Sequence, residues 1–536
     1  MSGGVRWSCI PHICDISTIM PTDRPIIIPA KRRNITGIMR PKPGPLPEFL
    51  VVTVFALGLY IPFLSIQYDP NGIVEALAVE NGPLLNKNHM LYRPLGLVAW
   101  RALQRAGYGG DSLPVLQVLS AVAGAFGLGF AFLAFRKMSV NAEAAVTGAV
   151  FLGTSFTYWV SATDVLYVTL AGMFAAAALT CVMRAAPDGW MVAAGILAAL
   201  SIFTWQGCLF LLPALLLMLP KGFRTIRSAS LFLLSAGLLT AFVYVVAAFA
   251  SRGAMGPRDL WAWFTHYSEN ATLAIWGTWE PRRVPVAALS ALDSITAVRL
   301  AAGLSELFHG VQLGRIAVDC SVLAFSVLMI AGVAKARSAA LRSLAAYFCF
   351  FPFIVWWDAG SDKWFLVANI FLAAFLVCSL DALLQRKYAK LGVMVCIVVI
   401  AATNFMTTIR PRHFDAGRDR PIAQCVAGHM GPADLFVAAE WGWPDYLPYL
   451  HKRASINLIN EFARFQDTQG TLASARESIG KTHNDGGRVY MENPRSHSGA
   501  HLQWLKETTG LVTTDLSGFG GTPSFACDDV TIDVVN

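Results

Sequence analysis

The chain has 536 residues, of which 55% are hydrophobic and only 14% charged, with a mean hydropathy of +0.52. Soluble chains carry charge on about a quarter of their residues, so this composition excludes an ordinary soluble enzyme and points to lipid as the main solvent. The net charge of +8 and pI of about 9.0 are what cytoplasmic loops of a membrane protein contribute. No interleaved basic and aromatic stretch argues for a nucleic-acid surface.

In chain order, residues 1–45 contain Asp15, Asp23, Pro21, Pro25 and Pro29, followed by Lys31, Arg32 and Arg33. There is no apolar core with a small-residue cleavage site, and the stretch reads as a cytoplasmic arm, part of it an upstream start-site artefact. Apolar runs long enough to span a bilayer then follow at 49–67, 114–135, 142–159, 164–183, 190–204, 206–220, 228–250, 317–334, 343–357, 364–384 and 391–408. The predicted architecture is mainly α, with about eleven transmembrane helices.

Charge orients these spans. With the N-terminus inside, the inner connections carry Arg136 and Lys137; Arg184; Lys221, Arg224 and Arg227; Lys335, Arg337 and Arg342; and Arg386, Lys387 and Lys390. The short outer connections at 160–163 and 205 carry no Lys or Arg, and 358–363 carries only Lys363. That is the positive-inside pattern. It predicts a multi-pass protein of the inner (plasma) membrane with residues 409–536 outside the cytoplasm.

The outer face holds three large segments: 68–113, 251–316 and 409–536. Within the first, Leu91–Arg105 has the pattern of a helix lying on the membrane: Leu95, Leu97, Val98, Trp100 and Leu103 are apolar, and Arg101 and Arg105 share a polar face. Residues 259–264, with Trp261, Trp263 and Phe264, form a second interfacial piece. The 409–536 segment alternates short apolar runs (Asp434–Glu440, Ser455–Ile459, Arg488–Glu492) with helical stretches at 461–479 and 500–508, which predicts a small α/β domain. Cys425 and Cys527 are the two cysteines of this segment, and an oxidising compartment permits their pairing. Cys181, Cys208, Cys320, Cys349, Cys378 and Cys396 lie in apolar runs and read as small hydrophobes; no cysteine spacing reads as a zinc site.

Residues with chemical potential cluster on the same face. Asp69, in Tyr68–Arg93, is the first carboxylate after span one; at a membrane boundary a carboxylate is costly unless paired or used. It reads equally as a general base or as the cap of a turn at Asp69-Pro70-Asn71-Gly72. Glu75 is its candidate partner, and His89, Tyr92 and Arg93 suit a phosphate or sugar. Asp164 is either a helix cap or a second acidic wall. In the turn Trp356–Trp364, Asp358, Asp362 and Lys363 are candidates; Lys363 stands outside against the charge bias, as a phosphate ligand would. Arg258, Arg282 and Arg283 in the 251–316 segment offer planar forks for phosphate oxygens. His497 and His501, spaced i, i+4, read as surface histidines, and Ser517–Gly521 (SGFGG) lacks a P-loop continuation. Asn270-Ala-Thr is a glycosylation triplet only in a eukaryotic lumen. No ligand cluster demands a metal, although a divalent cation is compatible.

The blocks YDPNGIVEAL…NHMLYRPLG, FTYWVSATDVLYVTLAG and WWDAGSDKWFLV resemble those of the GT-C superfamily of integral-membrane glycosyltransferases, which includes protein O-mannosyltransferases and the lipid A aminoarabinose transferase. The resemblance covers nearly the whole chain. It departs in one respect: the family often has two adjacent acidic residues in the first loop, whereas Pro70 follows Asp69. It implies transfer of a sugar from a polyprenyl-phosphate donor to a glycan, lipid or protein acceptor, with inversion, Asp69 as base and Arg93, Lys363 or a loop arginine at the leaving phosphate. A transporter or lipid flippase, and a non-enzymatic membrane scaffold, are the rival expectations. Against a transporter, no internal repeat is apparent and few charges lie at span centres.

Overall fold

The computed structural model describes residues 45–139, 141–184, 188–219, 224–252, 256–265, 279–297, 338–383, 387–465, 467–493 and 496–535. Among them, seven helical segments are long and apolar enough to cross a bilayer: Leu46–Phe63, Ser112–Met138, Tyr167–Arg184, Ile226–Ala250, Ser338–Trp357, Asp362–Leu380 and Lys390–His429. Three further predicted spans are shorter apolar helices, Ala142–Thr154, Gly189–Thr204 and Gln206–Met218. The predicted span at 317–334, the triplet at Asn270 and residues 1–44 lie outside the described residues.

One of the predicted spans breaks, and the break is informative. The predicted 142–159 span stops at Ser155, which is extended (φ −62°, ψ 146°), and resumes as Phe156–Thr163. A break inside lipid frees backbone groups that protein must satisfy. Here the Phe156 and Thr157 amides donate to the Ile295 and Ser294 carbonyls at 3.0 and 3.1 Å. The fully buried Asn404 amide donates to the Thr154 and Ile295 carbonyls, both at 2.9 Å. Residues 294–297 therefore pack into the helical bundle as a plug beside the break. Trp205, the predicted connection between two spans, is extended between Gly189–Thr204 and a 3₁₀ turn at Gln206–Phe210.

The first loop forms two helices. Asp69 caps Pro70–Asn81 with proline at the first helical position, a favoured pairing of cap and N1 residue. A Cβ on Gly72 would lie 2.7 Å from both Cβ and O of Val165, so only glycine lets this helix start lie against the Asp164–Val165 segment. The second helix, Tyr92–Arg105, buries Tyr92, Arg93, Gly96 and Trp100 and turns Val98 and Leu103 outward; Trp100, expected on the same apolar face as those two, packs inward instead.

The last segment builds a five-stranded mixed sheet in the order β2-β1-β3-β5-β4. Strands β1 (Leu435–Ala438), β2 (Ala454–Asn457) and β3 (Val489–Glu492) are parallel, while β4 (Gly521–Cys527) and β5 (Val530–Val535) form an antiparallel hairpin on β3. The three strands expected from the sequence are present; the hairpin was not expected. This domain docks on the first loop: Tyr446 Oη donates to the Tyr68 carbonyl at 2.7 Å, and Tyr449 Oη to Glu80 at 2.8 Å.

Cys425, in the Asp419–His429 helix, is bonded to Cys527 at the end of β4, with Cα atoms 5.9 Å apart. The bond spans 102 residues, a loop whose closure removes much denatured-state entropy. Replacing both cysteines by serine is expected to destabilise the domain by about 2–4 kcal/mol, read as a lower unfolding midpoint by thermal denaturation.

Candidate functional site

A cavity of about 660 Å³ opens where the first loop, the Trp205 turn, the late Trp356–Trp364 turn and the sheet domain meet. Its wall includes Asp69, Asn71 and His89 from the first loop, Trp205 and Gln206 from the Trp205 turn, Asp358, Lys363 and Trp364 from the late turn, and Trp441, Asp445, Asn460 and Trp504 from the sheet domain. Aromatic rings dominate it. Trp205 stacks on Trp364 at 5.2 Å, and Trp441 meets Trp504 edge-on at 5.7 Å.

Asp69 is the helix cap that the sequence allows, and it also lines the cavity. Its Oδ1 accepts from the Asn71 amide at 2.8 Å and from Asn71 Nδ2 at 2.7 Å, which is the cap. Both bonds fall on one oxygen, leaving Oδ2 without a hydrogen-bond partner among the described residues. The Asp69 amide donates to Asp164 at 3.0 Å.

Asp164 is not a wall of the cavity. It is fully buried, closes the Phe156–Thr163 helix, accepts from the Val165 amide at 2.7 Å and pairs with Arg412. It thus positions Asp69 through the backbone. Glu75 and Arg93 are also displaced from the expected roles. They form a buried two-pronged ion pair at 2.8 and 3.0 Å, and Arg93 also donates to the Pro83 carbonyl at 3.0 Å. Neither lines the cavity, so Arg93 and Lys363 do not share it. The reason is helical geometry: Glu75 falls on the face of Pro70–Asn81 that packs inward, where a carboxylate needs a cation.

The remaining candidates divide. His89 lines the cavity, stacked on Tyr167 at 3.6 Å; burial pushes its imidazole down to about 4, so it is neutral at physiological pH. Tyr92 is buried, its hydroxyl 3.3 Å from Ser120. Asp358 accepts from Trp364 Nε1 at 3.2 Å on the cavity wall. Asp362 lies off the wall and accepts from Thr157 at 2.8 Å. Lys363 is the one Lys or Arg on the wall among the described residues, with Nζ 4.9 Å from the Trp364 ring. Arg258 is exposed, Arg282 is exposed and paired with Glu280, and Arg283 donates to the Trp356 carbonyl at 3.1 Å; none of the three lines the cavity.

Asp445 escaped the sequence reading. It sits in the Trp441–Tyr446 turn and accepts from the Gly442 amide at 3.2 Å. Burial pushes its carboxyl up to about 6, helped by the Asp69 charge. The only local signal was an aspartate inside the aromatic run EWGWPDYLPY.

No family model and no curated protein sequence matches the chain. Solved structures do. ArnT from Cupriavidus metallidurans bound to undecaprenyl phosphate superposes with a TM-score of 0.58 at 11% identity, covering 92% of this chain and 98% of that one. The Archaeoglobus fulgidus oligosaccharyltransferase in its apo form gives 0.54 at 13% identity, covering 90% and 73%. The same organism's AglB with an inhibitory peptide and dolichol phosphate gives 0.51 at 12% identity, covering 92% and 74%. These are GT-C proteins, and the chain has their fold.

Proposed function

We propose that this GT-C-fold protein is a membrane glycosyltransferase that moves a sugar from a polyprenyl-phosphate donor to an acceptor on the outer face, with inversion. The observation that carries the reading is the cavity, which brings the Asp69 carboxylate and the Lys363 ammonium into one aromatic wall, in a fold shared with a protein holding undecaprenyl phosphate. Asp69 Oδ2 takes the proton of the acceptor hydroxyl as its oxygen attacks the anomeric carbon. The bond from that carbon to phosphate breaks, and the electron pair leaves on the phosphate oxygen. Lys363 stabilises that charge where aromatic walls exclude water, so the interaction is stronger than in bulk solvent. Trp205, Trp364, Trp441 and Trp504 offer stacking faces for a sugar ring.

The test is transfer from a polyprenyl-phosphate sugar by the detergent-purified protein, with Lys363→Met beside wild type. Loss of an electrostatic stabiliser of the leaving group is expected to cost about 10²–10³ in rate. Wild-type transfer by the variant would remove Lys363 from the mechanism, and no transfer from any polyprenyl-phosphate sugar would remove the reading.

The orientation rests on the charge pattern. A reporter active only outside the cytoplasm is expected to work after Asn536 and to be silent near Lys221 or Arg386. Activity at Lys221 would overturn this topology.

A further inference from the structure

A second polar cluster lies in the sheet domain, behind the cavity wall. Metal-ligating atoms of Glu440, His497 and His501 all come within 4.8 Å of one another. Glu492 joins them, with its Oε1 3.6 Å from His497 Nδ1. The topology explains the gathering. From β1 the chain moves to β2 on one side of the sheet and then to β3 on the other. The crevice outside the carboxyl ends of β1 and β3 is therefore the switch point of the parallel part, where such sheets bind ligands. Glu440 follows β1 by two residues, and Glu492 ends β3.

Two atoms of this cluster lack what burial requires. His497 Nε2 and Glu492 Oε2 are buried with no hydrogen-bond partner, and the two side chains are only 1% and 5% exposed. A buried polar atom left in this state costs about 1–3 kcal/mol and calls for an explanation. The neighbouring cation does not supply one, because Arg418 is engaged with both carboxylate oxygens of Asp529 at 2.9–3.1 Å. His501 has the arrangement of a ligand whose outer nitrogen is held: its Nε2 lies 3.2 Å from the Ala439 carbonyl, so donation there leaves Nδ1 with a free lone pair. The two rings stack at 4.8 Å.

We propose that Glu440, His497 and His501 bind a divalent cation of the zinc class, with Glu492 beside it as a further ligand or as the acceptor that orients His497. Two imidazoles with a carboxylate suit zinc, whose ligand atoms sit roughly 2.0–2.2 Å from the ion; the span of the cluster closes onto such an ion by small side-chain rotations. The ion joins the ends of β1 and β3 to the Gly499–Thr509 helix. It also bears on the cavity wall, because Trp504 lies 5.5 Å from the His501 ring and Trp441 follows Glu440 in the chain. The proposal does not depend on the transferase reading.

The test uses the full chain in detergent and non-reducing buffer, so that the Cys425–Cys527 bond offers no thiolate. After stripping with a chelator, the protein is titrated with Zn²⁺ and with Co²⁺, whose visible absorption reports nitrogen and oxygen ligands. Wild type is expected to take up about one equivalent and to unfold at a higher temperature with metal than without. The half-exposed His501→Gln and Glu440→Gln are expected to weaken binding by about 100-fold or more and to lose that thermal shift. The exposed His483→Ala serves as the control and is expected to bind as wild type does. Absence of stoichiometric uptake by wild type, or unchanged binding by both site variants, would overturn the proposal; so would equal loss in His483→Ala.

Discussion

Asp69→Asn is expected to transfer sugar about 10²–10⁴ times more slowly than wild type while binding the donor with unchanged affinity. Asparagine is as good a helix cap as aspartate, and its carbonyl oxygen still accepts the two bonds from Asn71. The Asp69 amide still reaches Asp164, so the Pro70–Asn81 helix stays in place. The substitution removes only the carboxylate to which the proposed mechanism gives the acceptor's proton. The proposed mechanism places the phosphate at Lys363 and not at Asp69, so the loss belongs in kcat rather than in KM. Asp445→Asn is the paired measurement, because Asp445 is another half-buried carboxyl on the same wall. A carboxyl raised to about 6 is itself a competent base near neutral pH. If Asp445→Asn shows the larger kcat loss in single-turnover transfer, the base is Asp445 and Asp69 is only a cap.

The site was legible in part. Asp69, His89, Asp358 and Lys363 are found by proximity to span ends on one face, and these four line one cavity. Position along the chain does not give the direction of a side chain. Glu75 and Arg93 lie in the same loop as Asp69, yet they point into the packing between two helices and neutralise each other. Asp164 and Arg412, 248 residues apart, meet only in the folded protein. Asp445, Trp441 and Trp504 come from a domain whose docking no local pattern announces; it depends on Tyr446 and Tyr449 reaching the first loop.

The fold shows the same division between local and distant causes. Apolar runs and charge alternation locate the long helices, because length and desolvation are properties of the segment itself. The break at Ser155 is announced by neither a charge nor a proline, since Gly153-Thr154-Ser155-Phe156-Thr157 is tolerated within an apolar span, and the partners that make it tolerable, Asn404 and Ser294–Ile295, lie far along the chain. Strands β1 and β3 are apolar runs buried along their whole length and are readable. In β4 the exposed GTPSF stretch, with Pro523 inside it, reads as a loop. Proline is tolerated there because β4 is an edge strand paired only with β5. His497, which reads as a surface residue in the i, i+4 pair, is buried because its segment folds back over the end of β3.

Glu75→Gln is expected to reduce the amount of folded protein sharply rather than to slow the chemistry. Glu75 and Arg93 are 4% and 6% exposed, and the guanidinium has already used its remaining reach on the Pro83 carbonyl. Removing one charge of a buried pair leaves the other uncompensated, at a cost of about 3–5 kcal/mol. That is a large share of a typical stability of about 5–15 kcal/mol. Replacing both partners removes the stranded charge, so Glu75→Met combined with Arg93→Met is expected to recover much of the lost stability. The double variant also separates structure from catalysis. With neither residue on the cavity wall, its folded fraction should transfer sugar at near wild-type kcat. A double variant that folds, binds donor and fails to turn over would return Glu75 or Arg93 to the mechanism.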